Sequence, residues 1–180
     1  MPEPAHFKDG DILLCKSAGI IPSLIKWGTG SRYSHVAVIA SAKLGLVVEA
    51  IPEGGVRAIS VENYKTQFDL YRVKPAYQFN HSNMVSYLIK MLARKYDYPF
   101  KLAFKLALRK LRLLKLFGLK MIGNKKAADE LQEDQDYFCS ELCYLAFQAG
   151  GLDIVPQIGD AETTSPGDIA RSPVIEKVPS

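Results

Sequence analysis

Long apolar runs are missing from this sequence. No stretch approaches the ~20 residues that a membrane-spanning helix requires. The first residues, MPEPAHFKDGDILL, also lack the basic segment, apolar core and small-residue cleavage site of a secretory signal. We therefore expect no transmembrane helix and no export by that route, and we predict a cytoplasmic protein that could still bind a membrane peripherally.

Cysteine is scarce. The chain of 180 residues has only three cysteines, Cys15, Cys139 and Cys143, so they cannot all pair with one another. A disulfide framework would need more of them, and the doubled CxxC spacing of a zinc site is absent. We predict free thiols in a reducing compartment, with no metal and no cofactor.

The length and the 48% hydrophobic content allow one domain with a proper core. Residues 11–15 and the runs HVAVIA, LVVEAI, VRAI and FDLYRVK have the β-branched composition of strands, and the second and third of these form a predicted hairpin. A helix is predicted from Asn80 or Ser82 to about Tyr96, and another in YFCSELCYLAFQAGG. The tail predicts extended loop with one turn at GDIA. The fold class predicted is α+β, a single domain over 1–180 with a small antiparallel sheet.

Basic residues are concentrated in one segment. Residues 100–126 hold nine Lys/Arg and no acid, whereas the remainder of the chain has 14 basic and 19 acidic residues. We predict that residues 100–126 form a basic helical insertion. Helical spacing places five of its cations on one stripe and its apolar residues mostly on the other side. These cations are Lys101, Lys105, Arg109, Arg112 and Lys115. Such a split predicts a surface with its own partner.

The position of Cys139 suits a nucleophile. It lies in the predicted first turn of the YFCSELCYLAF helix, where the helix dipole lowers a thiol pKa. Cys143 lies one turn deeper on the same face and is predicted to belong to the core. A buried helical cysteine is the ordinary alternative for Cys139 as well, so its neighbours decide the interpretation.

Two further residues complete a candidate triad. His35 follows a polar loop and opens a predicted strand, and imidazole is the usual base for a thiol nucleophile. Glu49 is an acid inside the apolar run LVVEAI, where an unpaired carboxylate would be costly. A turn centred near Ala42 would place the two side chains directly opposite each other on one sheet face, so that Glu49 could orient the imidazole. The alternative is a strand-edge glutamate in solvent.

The stretches WGTGSRYSHVAVIA, VVEAIPEGGV, KYDYP, YFCSELCYLAF and TTSPGDIARS resemble the permuted papain-like amidases of the YaeF/YiiX type, the circularly permuted branch of the NlpC superfamily. Most specific are SHVAVI and CSEL, and the histidine precedes the cysteine as in that branch. The resemblance leaves out residues 100–135. It implies a papain-like fold with an antiparallel sheet against the cysteine helix, with Cys139 as nucleophile, His35 as base and Glu49 as orienting residue.

The resemblance also implies an activity. Most of the superfamily cleave amide bonds through a covalent acyl-enzyme, so a thiol hydrolase acting on a peptide amide is expected. The oxyanion hole would use the Cys139 N–H and a tyrosine, for which Tyr96 is the candidate and Tyr33 and Tyr98 are rivals. The permuted branch also includes lipid acyltransferases, so an acyl-lipid substrate is an alternative. A non-catalytic module that binds lipid or peptide is another.

Three interpretations of the basic stripe stay open. It could bind an anionic membrane surface, with each cation near the surface contributing about 1 kcal/mol to the binding free energy. It could equally be a solvated face of a helix packed on its own domain. Nucleic acid ranks last because no recognised binding motif accompanies the charge, so we predict no nucleic-acid partner.

Overall fold

A six-stranded antiparallel sheet forms the frame of the protein, for which we use a computed structural model. The structure describes residues 7–16, 30–51, 54–64, 67–94, 139–161 and 163–179. The strands are β1 (Ile12–Cys15), β2 (His35–Ser41), β3 (Leu46–Ile51), β4 (Gly55–Ser60), β5 (Phe68–Val73) and β6 (Ile175–Lys177). Their order across the sheet is β4-β3-β2-β1-β5-β6, with every neighbouring pair antiparallel.

The described helices are α1 (His81–Met91), α2 (Cys139–Ala149) and the short α3 (Pro166–Ala170). Asn80 caps α1 through its side chain, which accepts the N–H of Asn83 at 3.0 Å. Gly151 at φ +84° follows the end of α2 and takes a conformation that glycine adopts without strain. The predicted α+β class, the five predicted strands and the helix that begins at Cys139 are confirmed.

The sheet separates two apolar clusters. Alternate residues of β2 point to opposite faces, so that Val36 and Val38 pack on one side and Ala37 and Ile39 on the other. Helix α2 packs on the first face against α1 and the strands β2 and β3, with Phe147 fully buried between them. This packing brings the N-terminus of α2 to the sheet.

Helix α1 ends at Met91, so the prediction that it runs to about Tyr96 was wrong. Ala93 has φ +63°, a left-handed conformation that a helix cannot contain. Its N–H donates to the Val56 carbonyl at 2.9 Å, and the Val56 N–H donates to the Arg94 carbonyl at 2.8 Å. Pairing with the start of β4 therefore competes with the helix and ends it.

The tail also departs from its prediction as a loop with one turn. The predicted turn is the helix α3. Its N-terminus has a capping box, in which the side chains of Ser165 and Asp168 each accept a hydrogen bond from the other residue's backbone N–H. Beyond it, β6 pairs with β5 through the register Val73↔Ile175. A three-residue edge strand is too short to carry a periodic signal, which explains why the sequence did not reveal it.

Among the described residues, none of the helices combines the length and the apolar character that crossing a bilayer would take.

Candidate active site

Cys139 is the first residue of α2 and is only 2% exposed. Its sulfur accepts backbone N–H bonds from Val36 and Ser140 and interacts with the imidazole of His35. The Ser140 N–H is one of the first-turn donors that a helix leaves without an internal partner. The sulfur thus lies at a helix N-terminus, among donors that favour a negative charge.

Strand geometry explains why Val36 can reach the sulfur. The paired ladder between β2 and β3 begins at Ala37 and Glu49, one residue beyond Val36. At this end of β2 the backbone meets the N-terminus of α2, which packs against the same two strands. The first residues of β2 therefore supply both the imidazole and a backbone donor.

His35 connects the cysteine to the acid. Its Nε2 lies 2.7 Å from Glu49 Oε2, so Nδ1 is the nitrogen available to the Cys139 sulfur. The pairing that a turn centred near Ala42 would give is wrong by two residues: Ala37, not His35, lies opposite Glu49. The turn is centred between Lys43 and Leu44, because Ser41 pairs with Leu46, and a register shift between Ile39 and Ser41 then brings Ala37 opposite Glu49. The two side chains still share a sheet face, because the pairing shift keeps the parity on which the shared face depends.

The electrostatics favour an ion pair. Burial lowers the pKa of His35, but the charge and hydrogen bond of Cys139 and the Glu49 carboxylate outweigh it and raise that pKa to about 10. Burial raises the pKa of Cys139, and the His35 charge together with the bonds from His35, Val36 and Ser140 outweighs it and lowers the pKa. At neutral pH the arrangement favours thiolate and imidazolium.

Glu49 is buried, at 3% exposure, and its carboxylate accepts several hydrogen bonds. Arg57 Nε and one of its terminal nitrogens lie 2.9 and 2.7 Å from Oε1, and the Tyr64 hydroxyl donates to Oε2 at 3.1 Å. Burial raises the pKa of Glu49, and the bonds from His35 and Arg57 outweigh it and lower the pKa. Glu49 is therefore a fixed carboxylate.

Sequence reasoning missed Arg57 and Tyr64. Arg57 lies directly opposite Glu49 in the β3–β4 ladder, a position that only the register reveals. Tyr64 follows a 3₁₀ turn at Val61–Asn63 and reaches back across the sheet face. The one available signal was an arginine in the predicted strand VRAI, which follows the strand with an acid in its apolar run.

The other two thiols lie in contrasting surroundings. Cys143 is 1% exposed in the core, as predicted, and burial raises its pKa. Burial also raises the pKa of Cys15, to about 12, although a hydrogen bond with Tyr64 opposes this. Both thiols are therefore protonated at neutral pH, in contrast to Cys139.

Tyr33, a rival candidate for the oxyanion donor, donates its hydroxyl to Asp69 at 2.6 Å. The favoured candidate, Tyr96, and the second rival, Tyr98, lie outside the described residues, as does the whole basic stripe: Lys101, Lys105, Arg109, Arg112 and Lys115. Those assignments remain predictions. Among the described residues, no group of three or more His, Cys, Asp or Glu side chains is arranged to hold a metal ion.

No family model matches this sequence. A comparison with curated proteins finds no significant match either. Membership of the family suggested by the motifs is therefore a proposal, and the geometry of Cys139, His35 and Glu49 is the evidence for chemistry at this site.

Proposed function

We propose that the protein is a thiol hydrolase that forms a covalent acyl-enzyme on Cys139, with His35 as proton carrier and Glu49 as the residue that orients and stabilises the imidazolium. The observation that carries this proposal is the unbroken connection from the Cys139 sulfur through the His35 ring to Glu49. Neither the helix N-terminus nor the buried carboxylate alone would support it. Together they favour the charged, reactive form of the thiol.

The proposed reaction has two stages. The Cys139 thiolate attacks the substrate carbonyl, and the His35 imidazolium gives its proton to the leaving amine or alcohol as the carbon–heteroatom bond breaks. In the second stage neutral His35 takes a proton from water, the resulting hydroxide attacks the thioester, and the carbon–sulfur bond breaks. The products are a carboxylic acid and the restored ion pair.

The oxyanion of each stage needs preorganised donors. We assign one to the Cys139 N–H, which belongs to the first turn of α2 and so has no carbonyl partner within the helix. The second donor is predicted to be Tyr96.

We also propose that the fold is papain-like and circularly permuted. Two features support this: the antiparallel sheet packs against the cysteine helix, and the histidine strand precedes that helix in the chain. An amide or acyl substrate fits either hydrolysis or acyl transfer, since both pass through the same thioester. The acceptor, water or an alcohol, distinguishes the two.

A non-catalytic binding module is the rival from another class. Binding a lipid or peptide in a groove requires no charge on a cysteine, whereas the donors around Cys139 all favour the thiolate. The ion pair therefore favours the enzyme.

Acylation by p-nitrophenyl acetate tests the proposal. Mass spectrometry of the digested protein should find the acetyl thioester on Cys139, with little on Cys15 or Cys143. The adduct should disappear in Cys139→Ala and form far more slowly in His35→Ala, while Cys143→Ala serves as the matched control and should behave like the wild type. Acetylation spread evenly over the three cysteines, unaffected by His35→Ala, would refute the proposed function.

A further inference from the structure

Three cations surround the Asp69 carboxylate. Lys16 Nζ lies 2.9 Å from Oδ1, an Arg32 nitrogen 2.9 Å from Oδ2, and Lys177 Nζ 3.3 Å from Oδ1. Tyr33 donates to the same carboxylate. We call Lys16, Arg32 and Lys177 the cation cluster. Counted over these described side chains alone, Lys16, Arg32 and Lys177 carry three positive charges and Asp69 one negative charge, a formal excess of two.

The cluster lies at the same end of the sheet as the thiol. Cys15 pairs with His35 on one side and with Phe68 on the other, and Lys16 and Asp69 directly follow these two partners of the β1–β5 ladder. Neighbouring strands are about 4.8 Å apart and β1 lies between β2 and β5, so Asp69, the second residue of β5, lies about 10 Å from β2.

The cluster also lies on the same face as the thiol. Tyr33 and Tyr71, whose hydroxyls are 3.0 Å apart, pack in the apolar cluster that contains Cys139. Tyr33 thus contacts Asp69 with its hydroxyl and belongs with its ring to the core beneath the cysteine helix. The cations consequently lie on the side of the sheet that carries Cys139.

Solvent reaches the cluster. The side chains of Arg32 and Lys177 are 59% and 47% exposed, against 11% for Asp69. Burial raises the pKa of Asp69, but the bonds from Tyr33, Lys16 and Lys177 outweigh it and lower the pKa to about 2. The carboxylate is therefore fixed and saturated with donors, while two of its cations face solvent.

We propose that the cation cluster recognises a carboxylate or similar small anion on the acyl substrate, next to the bond that Cys139 attacks. This inference rests on the proposed function and names its substrate class: acyl compounds with an anionic group near the scissile carbonyl. A purely structural ion pair would need one cation for Asp69, and the additional charge beside a thiol site provides attraction for an incoming anion.

Two alkylating reagents of nearly equal size test the inference. Iodoacetate carries a carboxylate and iodoacetamide is neutral, so the ratio of their rate constants at Cys139 reports the local potential and cancels differences in access. A charge at about 10 Å in water changes the rate of an anionic reagent about two-fold. The triple variant Lys16→Gln, Arg32→Gln, Lys177→Gln removes three charges and should therefore lower the iodoacetate-to-iodoacetamide ratio about eight-fold at low salt.

The control is a second triple variant that removes the same charge at other places: Lys43→Gln, Lys74→Gln, Lys90→Gln. Lys43 follows the far end of β2, Lys74 follows the far end of β5, and Lys90 is in the last turn of α1. Its ratio should equal that of the wild type. Asp69→Asn should instead raise the ratio about two-fold, and the wild-type ratio should fall as salt rises.

The outcomes separate the two proposals. If Cys139 is alkylated selectively by iodoacetamide but the ratio is the same in both triple variants, the cation cluster has no part in recognition and the inference is overturned. If Cys139 reacts no faster than Cys15 or Cys143 with either reagent, the thiolate itself is absent and both proposals fail. A selective reaction whose ratio falls only in the cluster variant supports both.

Discussion

His35 and Glu49 meet diagonally rather than face to face. Ala37 takes the position opposite Glu49, and the His35 ring reaches from two residues away to place Nε2 2.7 Å from Oε2. Diagonal neighbours on one sheet face lie within reach of long side chains. Because of this offset, His35 and Val36, the first two residues of β2, lie outside the β2–β3 ladder. They interact instead with Cys139 at the start of α2.

Replacing Glu49 by Gln removes the charge that stabilises the imidazolium while keeping an acceptor of the same shape. A raised pKa means that His35 holds its proton at neutral pH and loses it as pH rises through about 10. In Glu49→Gln that loss should occur at lower pH, and kcat/KM should fall roughly 10²-fold or more. NMR titration of the labelled ring measures the midpoint, and an unchanged midpoint would contradict the assigned role.

Arg57→Lys keeps a positive charge beside Glu49 but loses the fork that makes two bonds to Oε1. We expect kcat/KM to fall several-fold and the free energy of unfolding to decrease by about 1 kcal/mol. Arg171→Lys is the matched control, because Arg171 is similarly exposed and makes a single bond to Asp168. Equal kinetics for the two variants would show that the fork does not position Glu49.

Ser34 offers a test of an unsatisfied hydroxyl. It is 4% exposed, and among the described residues its Oγ is the buried side-chain oxygen or nitrogen that lacks a hydrogen-bond partner. Since burying such a group costs about 1–3 kcal/mol, Ser34→Ala should leave the free energy of unfolding unchanged or increase it. Ser140→Ala, which removes a 2.7 Å bond to the Thr164 carbonyl, should lower it by about 1 kcal/mol. Urea denaturation compares them, and equal losses would refute the prediction.

Acid should weaken the contribution of Asp69 to stability. A lowered pKa means that the stabilisation is present above the usual value of 3.8 and is lost as pH falls through about 2. The difference in unfolding free energy between wild type and Asp69→Asn should therefore be constant near neutral pH and shrink between about pH 4 and pH 2. Urea denaturation at several pH values measures it, and a difference independent of pH would contradict the assigned ionisation.

Much of the frame could be predicted from local signals. The β-branched runs around His35 and Glu49 are strands, Asn80 caps a helix, and the two glycines after Ala149 end one. Each of these depends on residues adjacent in the chain, whose propensities act over a few positions.

Relationships between distant segments could not be predicted. A register shift between Ile39 and Ser41 sets the pairing of β2 with β3, and no residue type in this segment predicts the shift. Arg57 becomes a partner of Glu49 only through that pairing, and the end of α1 depends on contacts of Ala93 with Val56. In each case a tertiary contact outweighs the local preference.

The most direct test of the central claim is the pH dependence of iodoacetamide reaction at each of the three cysteines. The structure predicts that Cys139 reacts as a thiolate well below its ordinary pKa of 9.0, while Cys15 and Cys143 react only at alkaline pH, because their pKa values are raised. His35→Ala should move the Cys139 midpoint upward. A Cys139 midpoint at or above the ordinary value, unchanged by His35→Ala, would contradict the account.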